Sequence, residues 1–313
     1  LNQRIILPKF GGKQKKMPTY TTIDLHFMGI AEAIATYLLP TSEGLALIES
    51  GPHSTLPNLE KAVAALGHDP RNIKHIFLTH IHFDHAGAAW HFAKQHGATI
   101  YVHPEGARHL ASPEKLYASA KRIYGDQMET LWGRMEGIAE ERVQTVENGE
   151  AIHVGDKQLI AWHTPGHAVH HIAWQLDGTL FTGDVAGCKI GEGPVVPPCP
   201  PPDINLEDWE ASIQSIKSLN VEQLQLTHFG TVTNVGAHLD ELHERLWDWA
   251  NWMRPHFQAC TEPSVITPLF QQYVAQQLRA AGVSEAGIAT YETANPSWMS
   301  VAGLLRYWKL KTS

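Results

Sequence analysis

Apolar and polar positions come in short runs through the first two thirds of the chain and then change to a longer helical spacing. Ala35 to Leu39 and Leu45 to Ile48 are strand-length apolar runs around the turn Pro40-Thr41-Ser42-Glu43-Gly44, which predicts a pair of strands. Leu59, Ala62, Val63 and Leu66 recur at helical spacing and stop at Gly67, predicting a helix with one apolar face. Further strands are expected at Ile76 to Leu78, Thr99 to Val102, Leu159 to Trp162, Ile172 to Gln175, Thr179 to Thr182 and Leu224 to Leu226. Asp177-Gly178 between two of them is a hairpin signal. Leu206 to Leu219 reads as a helix, and Ser112 to Ile138 is polar and helix-prone, either a packed helix or an insert overhanging its neighbours. Beyond Gly236, Leu239, Leu242, Leu246, Trp249 and Trp252 or Met253 define a long amphipathic helix, its aromatic stripe most simply core. Val274, Leu278, Trp298, Val301, Leu304, Leu305 and Trp308 imply more helices.

One strand leads into a segment that packing does not explain. After Ile76-Phe77-Leu78 come Thr79-His80-Ile81-His82-Phe83-Asp84-His85, with four potential metal ligands in six positions. If Ile76 to His82 is extended, His80 and His82 share a face and Ile81 points to the core. Asp84 and His85 then fall where Ala86-Gly87-Ala88 favours a turn into a helix, so they approach from a second direction. That spacing suits two adjacent ions better than one. Imidazole with carboxylate suits zinc, iron, manganese or nickel. Three more candidates follow strand-like runs: His167 in Thr164-Pro165-Gly166-His167, Asp184 in Thr182-Gly183-Asp184, and His228 in Thr227-His228-Phe229-Gly230. In α/β proteins, binding residues collect at strand ends.

With these motifs the chain resembles the metallo-β-lactamase fold superfamily, over about residues 20 to 235. The resemblance implies a four-layer αβ/βα sandwich, with the metals at one edge between its sheets. It implies that His80, His82 and His167 hold one ion, that Asp84, His85 and His228 hold the other, and that Asp184 bridges them. Two divalent ions, zinc foremost, are the expected cofactors. His171, four residues after His167, is either an outer support for a ligand or structural packing. His103, His109, His153, His163 and His170 have no motif support and read as ordinary surface or satisfied histidines.

The expected organisation is a leader over residues 1–16, a main domain over 17–235 and a helical extension over 236–313, packed on the main domain or on a second subunit in a homodimer. The net charge of −8 argues against a nucleic-acid partner, because phosphate binding needs a basic field. Cys188, Cys199 and Cys260 form no Cys-x-x-Cys motif, which suits free thiols in a reducing cytoplasm. No run approaches the roughly 20 apolar residues of a membrane span. Six prolines crowd the last nine residues of Gly191 to Pro202, a stiff stretch that either walls a pocket or simply connects to the next helix.

Two bound cations would lower the pKa of water and polarise an electrophile, and Asp84 would relay a proton to the leaving group. There is no Gly-x-Ser-x-Gly element and no Walker motif, so water is the nucleophile. The expected activity is hydrolysis of a small-molecule ester-like bond: lactone or carboxyl ester first, thioester of the glyoxalase II type second, phosphotriester as a promiscuous reaction. His82 stands where flavodiiron oxidoreductases of the superfamily carry Glu, Gly187 where quorum-quenching lactonases place Tyr, and Val185-Ala186-Gly187-Cys188-Lys189 matches the glyoxalase II turn only loosely. A mononuclear iron oxidoreductase of the persulfide dioxygenase type and a non-catalytic binding scaffold are the rival classes. Leu1 to Lys16 shows no core-forming pattern. Deleting those residues should therefore leave melting temperature and turnover unchanged, and a loss of several degrees in a thermal melt would show that they pack.

Overall fold

The structure, a computed structural model, describes residues 19–312; the leader expected over 1–16 lies outside them. Two six-stranded sheets face each other. The first contains β1 (Thr21–Asp24), β2 (Ala35–Thr41), β3 (Gly44–Ile48), β4 (Ile73–Phe77), β5 (Thr99–Val102) and β6 (Val143–Thr145), in sequential order. It is antiparallel up to β3 and parallel from there on. The second contains β7 (Ala151–Val154), β8 (Lys157–His163), β9 (Ile172–Leu176), β10 (Thr179–Gly183), β11 (Gln223–Leu226) and β12 (Gly230–Val232), again sequential, with only β10 and β11 parallel.

The helices lie outside the sheets. Around the first are α1 (Leu56–Ala65), α2 (Phe83–Ala86), α3 (Ala89–His96), α4 (Pro104–Ala111), α5 (Glu114–Tyr124) and α6 (Met128–Trp132). On the second are α7 (Leu206–Ser218), α8 (Val235–Gln258), α9 (Pro263–Ala280), α10 (Glu285–Ala294) and α11 (Ser297–Lys311). Sheets buried on both faces need strands apolar on both faces, and β2 shows the division. Tyr37 and Leu39 enter the core between the sheets, beside Phe77, Trp174 and Phe181. Leu38 enters the core under the first set of helices, beside Leu59, Val63 and Phe92. The third core joins Leu224 and Leu226 of β11 to Trp209, Leu242, Trp249, Phe270 and Leu304, so α8 to α11 pack on their own chain.

The expected hairpin, Asp-Gly turn and proline-rich connection stand where the pattern put them, with four local differences. Leu66 is exposed, because it follows the last turn of α1 and lies outside the buried stripe of Leu56, Leu59 and Val63. The Ser112 to Ile138 helix is broken: Gly125 and Gly133 take positive φ values of 56° and 71°, open to glycine and costly for other residues, and they end α5 and α6. β4 stops at Phe77, so His80 and His82 sit in a loop, although Ile81 is still buried beneath them. Trp247 and Trp252 are half-buried against the third core, whereas Trp249 is inside it.

Trp249 tests how firmly the C-terminal helices are built in. Its ring meets Phe270 edge-on with centroids 4.9 Å apart, and its indole N–H donates to Gln277 Oε1 at 3.2 Å. Trp249→Ala should cost about 3–5 kcal/mol, read as a lower midpoint in urea unfolding with an unchanged slope. An unchanged midpoint would show that α8 is not part of the cooperative core.

Candidate metal centre

Hydrogen bonds between the two sheets converge at one edge. Ala35 N donates to Thr227 O at 2.8 Å, and Ile172 N donates to Thr79 O at 2.7 Å. Tyr37 Oη donates to Leu226 O at 2.5 Å and Trp174 Nε1 to Leu78 O at 2.9 Å. Each of these ties fixes a backbone next to a candidate residue: Thr79 precedes His80, Thr227 precedes His228, and Ile172 follows His171. Gly183 precedes Asp184 with φ 50°, and a side chain there would collide with Thr79 Oγ1 and His171 Nε2. Only glycine lets Asp184 come this close.

The candidates form two groups around Asp184. In the first, His82 Nδ1 lies 2.9 Å from His80 Nε2 and 3.1 Å from His167 Nε2. Neighbouring donors on a tetrahedral zinc lie about 3.3–3.4 Å apart for bonds of about 2.0–2.1 Å, so the three nitrogens need only small shifts. In the second, Asp84 Oδ2 lies 3.4 Å from both His85 Nε2 and His228 Nε2. Asp184 Oδ2 faces the first group, 3.2 Å from His167 Nε2. Its Oδ1 faces the second, 3.3 Å from His85 Nε2 and 3.4 Å from His228 Nε2.

The groups behind the rings fix where the lone pairs point. His167 Nδ1–H donates to Pro198 O and His228 Nδ1–H to Ala33 O, each at 2.8 Å. A carbonyl only accepts, so both rings keep a bare Nε2 on the inner side. His85 Nδ1–H donates to Glu49 Oε1 at 2.9 Å. Thr79 Oγ1 donates to the same oxygen at 2.5 Å, which leaves it to accept from His80 Nδ1–H at 3.0 Å. His171 supports Asp184 from behind: its Nε2 accepts from Asp184 N at 3.2 Å, and its Nδ1–H donates to Thr164 Oγ1 at 2.8 Å.

Electrostatics separates the groups further. Burial, reinforced by neighbouring imidazoles, pushes His80 well down and His82 to about 3. Both are therefore neutral, as ligands must be. Burial would also lower His85, but Asp84, Asp184 and Glu49 outweigh it and hold the ring well above its ordinary value. Burial would raise Asp84 and Asp184, and the histidines around them, His85 foremost, reverse the sign. His85 Nε2 and Asp184 Oδ1 are buried without any hydrogen-bond partner. Orphaned buried polar atoms are costly, and a divalent cation between them would satisfy both. The donor set of imidazole and carboxylate fits zinc, manganese, iron or nickel.

Glu49 carries no motif and was not among the sequence candidates. Its side chain is fully buried, its φ is 65°, and it also accepts from Thr79 N at 3.2 Å and Thr227 Oγ1 at 3.4 Å. The one sequence signal was an acidic residue directly after the apolar run Leu45 to Ile48. His170 also departs from expectation. It is 6% exposed with an unpartnered Nδ1, its ring 6.2 Å from that of His80, because Pro165 to His171 turns inward beside the cluster. The His103 and His163 rings meet at a tilt of 45° with centroids 4.2 Å apart, and His163 Nε2–H donates to Val146 O.

Comparison with known proteins agrees with this architecture. The sequence profile described as the Metallo-beta-lactamase superfamily matches residues 30–228. The chain is 30% identical over 167 residues to the metallo-beta-lactamase fold-containing protein ST1585 of Sulfurisphaera tokodaii, covering 51% of this chain and 62% of that protein. It is 25% identical over 258 residues to the hydroxyacylglutathione hydrolase of Vibrio cholerae, covering 80% of this chain and 86% of that enzyme. Among solved structures, the metallo-beta-lactamase family protein TTHA1429 from Thermus thermophilus superposes with a TM-score of 0.66 at 21% identity, over 94% of this chain and 93% of that one.

Glu49→Gln keeps the shape of the anchor and removes its charge. Removing such an outer partner costs about 10–100-fold in metal affinity. The loss should fall mainly on the ion beside His85, read by competition with a chromophoric chelator. Equal affinities in parent and variant would show that Glu49 has no part in holding the centre.

Proposed function

Because the chain belongs to the Metallo-beta-lactamase superfamily, we propose that it is a dinuclear metal-dependent hydrolase acting on a small ester-like bond, lactone or carboxyl ester first. His80, His82 and His167 would hold one cation, Asp84, His85 and His228 the other, and Asp184 would span both. The observation that carries this reading is the division of Asp184, with Oδ2 toward His167 and Oδ1 toward His85 and His228. When bound, the cations lower the pKa of water and polarise the carbonyl under attack. Asp84 retains 20% side-chain exposure, against 4% for Asp184. It is the carboxylate of the centre that reaches solvent, and we assign it the proton relay to the leaving group.

An aromatic wall beside Asp84 favours an apolar substrate. Phe83 precedes Asp84 and stacks near Trp132 at 6.4 Å. Trp132 packs on Phe27 and on Tyr124, each at 5.4 Å, and Tyr124 meets Trp298 at 5.6 Å. Tyr124 is close enough to Asp84 that, after burial, this carboxylate is the next cause raising its hydroxyl. The broken helices α5 and α6 therefore supply the overhang, together with α11. A thioester is the second reading, favoured by the similarity to the hydroxyacylglutathione hydrolase. Lys189, the first cation after Asp184, is engaged by the Gly193 carbonyl, which leaves it poorly placed to meet an anionic thioester.

The test is a panel of lactones, aryl esters, thioesters and phosphotriesters with protein reloaded with zinc, manganese or iron, with metal content measured alongside. Lactones or apolar aryl esters should turn over fastest at two equivalents of metal. Thioesters leading the panel would favour the second reading, and a single iron with oxygen uptake would favour the dioxygenase class. Asp184→Asn should weaken both ions together and lower turnover by more than the roughly tenfold low end for an outer-shell partner. Two retained equivalents with turnover inside that range would remove Asp184 from the bridging position.

A further inference from the structure

A second group of metal-ligating side chains lies away from the centre, between α1 and α3. Glu60 projects from α1, and His91 and His96 project from α3. One donor atom from each can be chosen so that all three lie within 4.8 Å of one another. His91 Nε2 is 3.5 Å from Glu60 Oε1, and the two imidazole rings are 5.4 Å apart and nearly perpendicular. His96 Nδ1 is buried and has no hydrogen-bond partner, which is unusual for a polar atom in a folded protein.

We propose that Glu60, His91 and His96 form a separate mononuclear site for a late first-row divalent ion such as zinc or nickel. Two imidazoles and one carboxylate match the three-protein-ligand set that leaves a coordination position open to water. His96 is the last residue of α3, where the partial negative charge of the helix end favours a cation. Burial, with help from His91, lowers the pKa of His96 and keeps the ring available as a neutral ligand. Lys74 lies nearby, but its ammonium donates to His96 O at 2.8 Å and is held by the backbone carbonyl.

The site has a structural consequence. α1 follows the segment that carries Glu49, and α3 follows the segment that carries Asp84 and His85. Both helices pack in the same core through Leu59, Val63, Trp90 and Phe92. An ion shared by Glu60, His91 and His96 would clamp these helices and stabilise the folded chain as its concentration rises.

The test compares full-length parent protein with Glu60→Gln, His91→Gln and His96→Gln, each titrated with nickel or zinc by calorimetry and followed by thermal melting. These chains share the same catalytic residues, so the comparison is independent of what that centre holds. The parent should bind one equivalent more than each variant, or bind it with affinity higher by at least the roughly 10–100-fold typical of an outer-shell partner. Its melting temperature should rise further with the ion than that of the variants, whose remaining rise reports the catalytic centre alone, and basal hydrolysis should not change. Equal stoichiometry and affinity in parent and variants would overturn the proposal and leave His91 and Glu60 as a surface ion pair. Glu60 and His91 are partly exposed, so their variants keep the test valid even if His96→Gln does not fold.

Discussion

A carboxylate with no access to water dictates the geometry of the centre. Glu49 stands at the end of the third strand, fully buried, and an ion in that position is tolerated only if every lone pair finds a donor. The donors come from three other segments: the Thr79 amide and hydroxyl, the His85 ring and the Thr227 hydroxyl. Leaving such a charge unpaired would cost about 3–5 kcal/mol, so these segments cannot drift apart independently. The left-handed backbone of Glu49 is a local cost that the network offsets. The positions of His80, His85 and His228 follow from the satisfaction of one acid.

The same network explains why part of the site was legible in the chain and part was not. The candidates singled out in the sequence follow apolar runs or, for Asp84 and His85, fall at the start of the helix just after one, and the structure brings all seven into one cluster around Asp184. Short-range spacing is enough to see them. Glu49 meets Thr79 and Thr227 across separations of 30 and 178 residues, and no local pattern encodes such a meeting. The extended reading of Ile76 to His82 failed for the same reason. Past Leu78, whose amide still donates to Tyr101 O, the backbone groups leave the sheet ladder: Thr79 N turns to Glu49 and Thr79 O accepts from Ile172. Tertiary partners, which a propensity argument cannot weigh, ended the strand.

Elsewhere the periodic signal sufficed where burial was uniform and failed where the chain turned. The strands between the two layers were visible because both their faces are apolar, as in Tyr37, Leu38 and Leu39. The broken helices α5 and α6 were read as one because their apolar positions persist across Gly125, and a single glycine lowers helix propensity without announcing a break. The outcome matters for the site, since the break lets Tyr124 and Trp132 fold toward Phe83.

The proline-rich connection links the centre to the far end of the chain. Its Pro198 carbonyl orients His167, while Asn295 Nδ2 donates to Pro197 O and Tyr291 Oη to Pro194 O. Cys199 N donates to Ser300 Oγ at 3.4 Å, and any side chain at Gly303 would strike the Cys199 carbonyl. The last two helices therefore act as the mould in which a ligand-bearing loop is cast. In evolutionary terms, tail and loop can change only as a matched pair. Transplanting the loop into a relative with a different tail would carry the proline residues across without the register that aims the imidazole.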